Sequence, residues 1–432
     1  MNRILIAGTH SGCGKTTITC AVLKALKNRG LKVSAFKCGP DYIDPLFHRK
    51  VIGVPSHNLD PFFCNAEQLK RKLSAEGTAV CEGVMGYYDG AGPGGAYSTY
   101  NVAKNTQTPV VLVVDAKGMY ASAGAVIKGF LEYKRDNKIA GVIFNNAPPS
   151  IYTGLAELAA SLGVKPLGLL PKDTSIAINS RHLGLNTDSA VNLDKLAELA
   201  EKYICLKGLL ELAESAPALN APPIDIKPLG SVRIAVSRDE AFCFMYEENI
   251  ELMRKFGAEI VFFSPLHDKS LPENIGGLYL CGGYPELHEH GMDLWGAINA
   301  GLPTIAECGG FMYLYKDTVF KTERLQRFGY VTLTANRDNL LCKRGENIRA
   351  HEFHYWDCTD CGSDFTARKP VSEENPADKL TAVCPSGRFH RVLSKKSWEC
   401  VHATETLWAG FPHLYFDANP KFCENFIRKA IN

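Results

Sequence analysis

The sequence predicts an α/β protein of two domains in series, and three observations predict it. First, an apolar run from Ile4 to Ala7 feeds GTHSGCGKTT (8–17), and Ile18 to Leu26 follows with helical periodicity. Strand, Gly-rich turn and helix form the context a phosphate-binding loop requires. Second, β-branched apolar runs alternate with helical stretches along the chain, the order that folds as a buried parallel sheet. Third, residues 215–230 (SAPALNAPPIDIKPLG) are rich in proline and alanine without a period, and strand signals restart after them. That composition is a linker. With 432 residues, too many for one ordinary core, the chain divides into a domain over 1–215, a linker over 216–231 and a second domain over 232–432.

Bulk properties exclude several classes. A formal net charge of +2 gives no reason to expect nucleic acid or an anionic membrane as a partner. No run of 18 apolar residues marks a membrane span, and the opening MNRILIAGTH lacks a long apolar signal region. A cytoplasmic protein is expected. Fifteen cysteines, an odd count without a regular framework, fit reduced thiols better than disulfides. Cys358-Thr-Asp-Cys361 is a lone CxxC, half a zinc site at most, with Cys342, Cys384 or His390 as candidate partners.

In the loop itself, Gly12 and Gly14 let backbone N–H groups close around phosphate oxygens, with Thr9, Ser11, Cys13 and Thr17 completing the cradle. Lys15 reaches the β/γ-phosphates of ATP, and the Thr16 hydroxyl belongs on Mg²⁺. The pattern GxxxxGK[ST] departs at one place: its first glycine falls on Thr9, and Gly8 lies one residue early. That displaced glycine resembles the loop of dethiobiotin synthetase-like enzymes, which act on carboxylates with ATP.

Residues 31–37 predict a second strand, ending in KCGPDYIDP (37–45) with Asp41 and Asp44 in its loop. In a parallel sheet such loops face the ligand crevice; Asp44-Pro45 also suits a plain turn. Residues 78–83 end a further strand on Glu82, where a metal-anchoring acid belongs, and VMGYYDGAG adds Asp89. GTHSGCGKTT, KCGPDYIDP and EGVMGYYDG together resemble the ATP-binding half of the cobyrinic acid a,c-diamide synthase family. The resemblance implies Asp41 and Glu82 as metal or catalytic acids, and Lys37, Asp44 and Asp89 as substrate-side groups. Strands follow at 108–116 and 139–147, with ASAGAVIKGFLEY as helix between them, and KPLGLLPKD (165–173) resembles a last strand. Asn145 and Asn146 suit either adenine recognition, by resemblance to related ATP-binding folds, or loop capping. SRHLGL (180–185) matches a family segment without a readable mechanism.

After the linker, strands are expected at 232–238, 259–265, 277–283 and 302–308, with a helix from Glu247 to Phe256. AECGGFMYL (306–314) carries Cys308 between a strand and a helix, the cysteine form of a nucleophile elbow. The helix N-terminus is expected to favour thiolate. CGGYPE (281–286) adds a second Gly-Gly turn, and the Gly283 and Gly309 N–H groups suit an oxyanion hole. His351 and His354 in AHEFHYW and His413 in GFPHLYFDANP are the candidate bases. These segments resemble class I glutamine amidotransferases fused in cobyrinate-type enzymes, which implies His413 as the partner of Cys308. The broader pattern has a glutamate two residues on, where this chain has Tyr415, so a third member stays unassigned. HEFHY misses the i, i+4 zinc spacing and has strand composition, which excludes a metalloprotease.

Taken whole, the resemblance implies a glutamine-dependent, ATP·Mg²⁺-driven amidoligase acting on a corrinoid carboxylate through an acyl phosphate, with ammonia carried along an enclosed path. Ni-sirohydrochlorin a,c-diamide synthases look much alike at these motifs, and cobyric acid synthase shares both domain types, although KCGPDYIDP and EGVMGYYDG favour the a,c-diamide branch. A partitioning ATPase shares the loop, but has no use for Cys308 in its elbow, and a glutaminase kept only as scaffold would not retain both Cys308 and His413. Exposed sheet edges leave room for a homodimer.

Overall fold

In the computed structural model the described residues are 1–74, 77–173, 192–288, 291–370 and 397–432. The chain divides into two compact units, Met1–Pro223 and Ile224–Asn432.

The first unit is built on seven strands, β1 (Asn2–Gly8), β2 (Val33–Cys38), β3 (Ser56–Leu59), β4 (Thr78–Glu82), β5 (Val110–Asp115), β6 (Ile139–Asn145) and β7 (Lys165–Leu170). They lie side by side in the order β3-β2-β4-β1-β5-β6-β7, and every pairing is parallel. Parallel strands put all their C-terminal ends on one edge. The loop after Gly8, the loop after Cys38, Glu82 and Asn145 therefore meet there. Inward-facing Ile4, Ile6, Val80, Val111, Val113 and Ile143 are buried beneath the helix Lys15–Asn28; each such side chain stabilises by ~1.5–3 kcal/mol when enclosed. The short strand β3 was not expected from the sequence. SHNL has no apolar run, and β3 forms because its parallel partner β2 supplies the register. Helices Leu193–Tyr203 and Leu206–Glu214 close the unit, and SRHLGL lies outside the described residues.

The second unit has two principal sheets. A six-stranded sheet runs Ala258–Phe263, Val232–Ser237, Gly277–Leu280, Thr304–Glu307, Leu407–Gly410, His402–Ala403, parallel except for the last pair. A five-stranded antiparallel sheet runs Ser397–Cys400, Phe365–Arg368, Arg327–Ala335, Asn347–His354, His413–Leu414. The chain steps from one sheet to the other between Gly410 and His413. That step sets a histidine beside the strand that ends just before Cys308, because Glu307 pairs with Gly410 and Cys308 N–H donates to Gly410 O at 2.8 Å.

The cysteine expectation needs one correction. Twelve described cysteines are in no disulfide, but Cys358 and Cys361 are joined as one. Their positions, three residues apart with Cα atoms 5.5 Å from each other, are in reach of a bridge. Asp357 lies against the pair, its ligand atom within 4.8 Å of both sulfurs. Cys342 is held elsewhere by Asn339, and Cys384 and His390 lie outside the described residues. No helix among the described residues is long and apolar enough to cross a membrane.

Candidate functional site

In the first unit the phosphate loop follows β1. Gly14 has φ +101°, and an added Cβ would lie 2.0 Å from Asn145 Nδ2. Gly12, at φ +82°, faces open space. Both positions need glycine, the second so that backbone can approach a ligand closely. Asn145 does not turn outward. Its amide donates to Cys13 O at 2.9 Å, which braces the loop. Asn146 instead donates to Asp115 Oδ1 at 3.0 Å. Lys15 is buried and donates to His10 O at 3.1 Å; burial lowers its pKa, Lys37 adds to that, and Cys13, Glu82 and Asp89 oppose it. Thr9, Ser11, Gly12 and Thr17 remain at least partly open at the same edge.

The acids converge on one lysine. Lys37 Nζ lies 2.5 Å from Asp44 Oδ2, 2.7 Å from Glu82 Oε1 and 3.9 Å from Asp41 Oδ2. Thr16 Oγ1 donates to the same Glu82 Oε1 at 2.5 Å. Lys37 and Asp44 were expected on the substrate side. Both are almost fully enclosed, Asp44 being 2% exposed, and they pair because a carboxylate taken out of water needs a cation against it. Of the three groups assigned to substrate, Asp89 alone is exposed; its Oδ2 accepts from Gly86 N–H at 2.9 Å and its charge acts on Lys15. Asp41 Oδ1 accepts from the N–H groups of Ile43 and Asp44 at 2.8 and 3.1 Å, fixing the short helix that carries Asp44.

Sequence reasoning missed His48. Its ring is fully buried, with Nδ1 3.1 Å from Ser56 Oγ and Nε2 3.7 Å from Glu82 Oε2. Burial, with Lys37 adding, lowers its pKa to about 3, so the ring is neutral. Glu82 Oε2 is buried without a hydrogen-bond partner among the described residues. An orphaned carboxylate oxygen beside a hydroxyl is a hard-oxygen donor set that fits Mg²⁺.

In the second unit, Cys308 stands between strand Thr304–Glu307 and helix Gly309–Leu314 with φ +46° and ψ −102°. A non-glycine residue in that region is strained, and such strain gathers at functional sites. The glycines around it are demanded by contact. A Cβ on Gly309 would lie 2.7 Å from Gly283 N, and one on Gly310 would lie 2.5 Å from Leu280 O. The backbones of Gly283 and Gly309 thus meet beside the cysteine, where oxyanion donors belong. A Cβ on Gly282 would lie 2.3 Å from His413 Cε1, so the imidazole rests directly on that turn.

The protonation pattern corrects one expectation. Burial, with Glu286 adding, pushes the Cys308 thiol up to about 12, and the Gly309 N–H pulls against this without overcoming it. A six-residue helix offers too little to outweigh desolvation at a site 6% exposed. The thiol is therefore neutral at rest. So is His413, which burial, with His351 and His354 adding, lowers to about 3. A neutral imidazole can accept the proton that a neutral thiol must give up.

Glu307 is buried; its Oε1 accepts from Leu414 N–H at 3.1 Å and its Oε2 from the Tyr279 hydroxyl at 3.0 Å. Burial pushes it up to about 8, against those two donors. Its Oε2 lies 3.8 Å from His413 Nδ1. Tyr415, in the place of the expected glutamate, packs edge-on against Tyr246 at 4.8 Å. Of the two other candidate bases, His351 pairs with His413 across neighbouring strands. His354 is bonded through Nδ1 to Trp356 O at 2.6 Å and stacks on Phe411 at 4.0 Å. HEFH lies wholly within a strand.

Comparison with known proteins agrees with this division. A model of the CobQ/CobB/MinD/ParA nucleotide binding domain matches residues 4–185, and one of the CobB/CobQ-like glutamine amidotransferase domain matches residues 233–420. A cobyrinate a,c-diamide synthase of Thermoplasma volcanium is 38% identical, over 99% of this chain and 97% of its own. Proteins of the same name from Clostridium acetobutylicum and Listeria monocytogenes are 35% and 38% identical, covering 99% and 97% of this chain and 100% and 97% of theirs.

Proposed function

The chain belongs to the cobyrinate a,c-diamide synthase family, and on that footing we propose that it amidates the a and c side-chain carboxylates of cobyrinic acid, with glutamine as nitrogen donor and ATP as activator. The observation that carries this reading is Cys308, held at φ +46° against the Gly283 turn, in a chain that also carries a phosphate loop. A regulatory or partitioning ATPase has no use for that elbow.

In the second unit His413 takes the Cys308 proton as the sulfur attacks the side-chain carbonyl carbon of glutamine, and the Gly283 and Gly309 N–H groups receive the developing oxyanion. The proton then goes to the leaving nitrogen, ammonia departs, and water resolves the thioester to glutamate. In the first unit the loop backbone and Lys15 hold the triphosphate, and Asp89 stands at the open edge for the acceptor. Thr16 and Glu82 would hold Mg²⁺, with Asp41 beside them; the ion, when bound, neutralises charge on the transferring phosphoryl group. Phosphorylation makes the carboxylate an acyl phosphate, and ammonia displaces phosphate to leave the amide.

The test is the mass change of purified cobyrinic acid and Ni-sirohydrochlorin with ATP and glutamine, with Cys308→Ala alongside. Two amides on cobyrinic acid, and a variant that works only with added ammonia, are expected. Amidation of the nickel compound alone would move the enzyme to another tetrapyrrole. Glutamine hydrolysis with no amide on either acceptor would remove the synthase reading.

A further inference from the structure

We propose that Glu307, the residue immediately before the nucleophile, is the positioning residue that orients His413 and completes a Glu–His–Cys arrangement in this glutaminase. The proposal rests on the amidotransferase reading of Cys308 and His413. Three observations on three sides of the carboxyl group carry it. Glu307 is 1% exposed at the C-terminal end of strand Thr304–Glu307, where a buried acid without a task is costly. Its two oxygens are fixed separately, by Leu414 N–H at 3.1 Å and by Tyr279 Oη at 3.0 Å. And Oε2 faces His413 Nδ1 at 3.8 Å.

Leu414 is the residue after the base, so Glu307 grips the dipeptide that carries the imidazole. Asn249 tightens the same grip, donating to Leu414 O at 2.9 Å and accepting from Phe416 N–H at 2.9 Å. With Nδ1 turned toward Glu307, Nε2 is the nitrogen left for the thiol. A separation of 3.8 Å is longer than a formed hydrogen bond, and such contacts are commonly loose before substrate binds. When His413 accepts the thiol proton at Nε2, its Nδ1–H gains a carboxyl acceptor already held in place, and no other bond need change. Tyr415 cannot serve, since its ring is committed to Tyr246. The usual partner has thus been replaced by a residue from a different strand, one position upstream of the cysteine.

The experiment is steady-state glutamine hydrolysis by the full chain carrying Glu307→Gln or Glu307→Asp, with thermal midpoints measured near pH 5. Glu307→Gln keeps the size and the Leu414 contact but replaces one carboxyl oxygen with an amide NH₂, which cannot accept from Nδ1–H. The expected result is a fall in kcat of ~10²-fold or more, with KM for glutamine and the thermal midpoint held. Glu307→Asp, which retains the acid, is expected to recover part of the loss. An unchanged kcat in Glu307→Gln overturns the proposal, as does a fall in both variants that goes with a lowered midpoint. The comparison is read on glutamine hydrolysis itself. If cobyrinic acid proves not to be the acceptor, the function proposed above falls while this inference stands or falls on the same numbers.

Discussion

The two half-sites solve the burial of acids in opposite ways. Around Lys37 the first unit pairs its enclosed acids with an enclosed cation, with Thr16 alongside. Around Cys308 no cation among the described residues serves: thiol and imidazole are neutral at rest, and burial lifts Glu307 to about 8. A site that handles phosphate and a divalent cation profits from fixed charge, because its ligands arrive charged. A site that must move one proton between sulfur and nitrogen profits from neutral partners, since neither is trapped by a counter-ion. The strand ends place the groups; the kind of compensation decides the chemistry.

Breaking the charged half should cost most. Lys37→Met keeps the length of the side chain and leaves Asp44 and Glu82 buried without their cation. A loss of ~3–5 kcal/mol of stability is expected, the range for removing one partner of a buried ion pair. Urea unfolding of the variant checks it. A loss below ~1 kcal/mol, the range of an exposed pair, would mean that the acids are compensated by something other than Lys37.

The neutral half should break more gently, and through position. Gly282→Ala puts a methyl group where His413 Cε1 now rests, 2.3 Å from the ideal Cβ. The imidazole must shift, and a displacement of about 1 Å at a catalytic group costs ~10²-fold in rate. Glutamine hydrolysis should fall by that order, while amidation driven by added ammonia stays near the wild-type rate. Equal loss by both routes would show that the turn serves the whole fold and not the base alone.

How much of this was legible depends on the range over which each feature is set. The phosphate loop, the acid at the end of β4 and the elbow at Cys308 are local: a strand, a turn residue and a helix in a row announce them. The Lys37 cluster is set by the parallel register of β2 with β4, which brings Lys37 beside Glu82, and no spacing along the chain encodes that. His48 falls in a segment, His48-Arg49-Lys50, that looks like an ordinary basic surface, and is buried only because Ser56 and Glu82 close over it. Glu307 stood in plain view inside AECGG, but its meeting with His413 comes from the step between two sheets at Gly410. Asn145 was legible as an asparagine after a strand, and only the fold decides that it braces Cys13.

The smallest effect sharpens the comparison best, because it reads the uncompensated carboxyl directly. Glu307 is raised to about 8 in the folded chain, whereas an unfolded glutamate titrates near its ordinary value of about 4.3. Between those two values the folded state holds a proton that the unfolded state has released. The contribution of Glu307 to stability is therefore fully present below the unfolded pKa and is lost as pH rises through the folded one. Glu307→Gln has no such proton to lose. Its thermal midpoint, matched to wild type near pH 5, should rise relative to wild type as the pH is taken to 8. Three buried histidines among the described residues of the same unit, His351, His354 and His413, have lowered pKa values and act in the other direction, favouring unfolding as pH falls below the ordinary histidine range. They are common to both proteins, so the difference between the two curves isolates the carboxyl group. A difference that stays flat from pH 5 to 8 would place a compensating cation near Glu307 after all, and the contrast between the two half-sites would close.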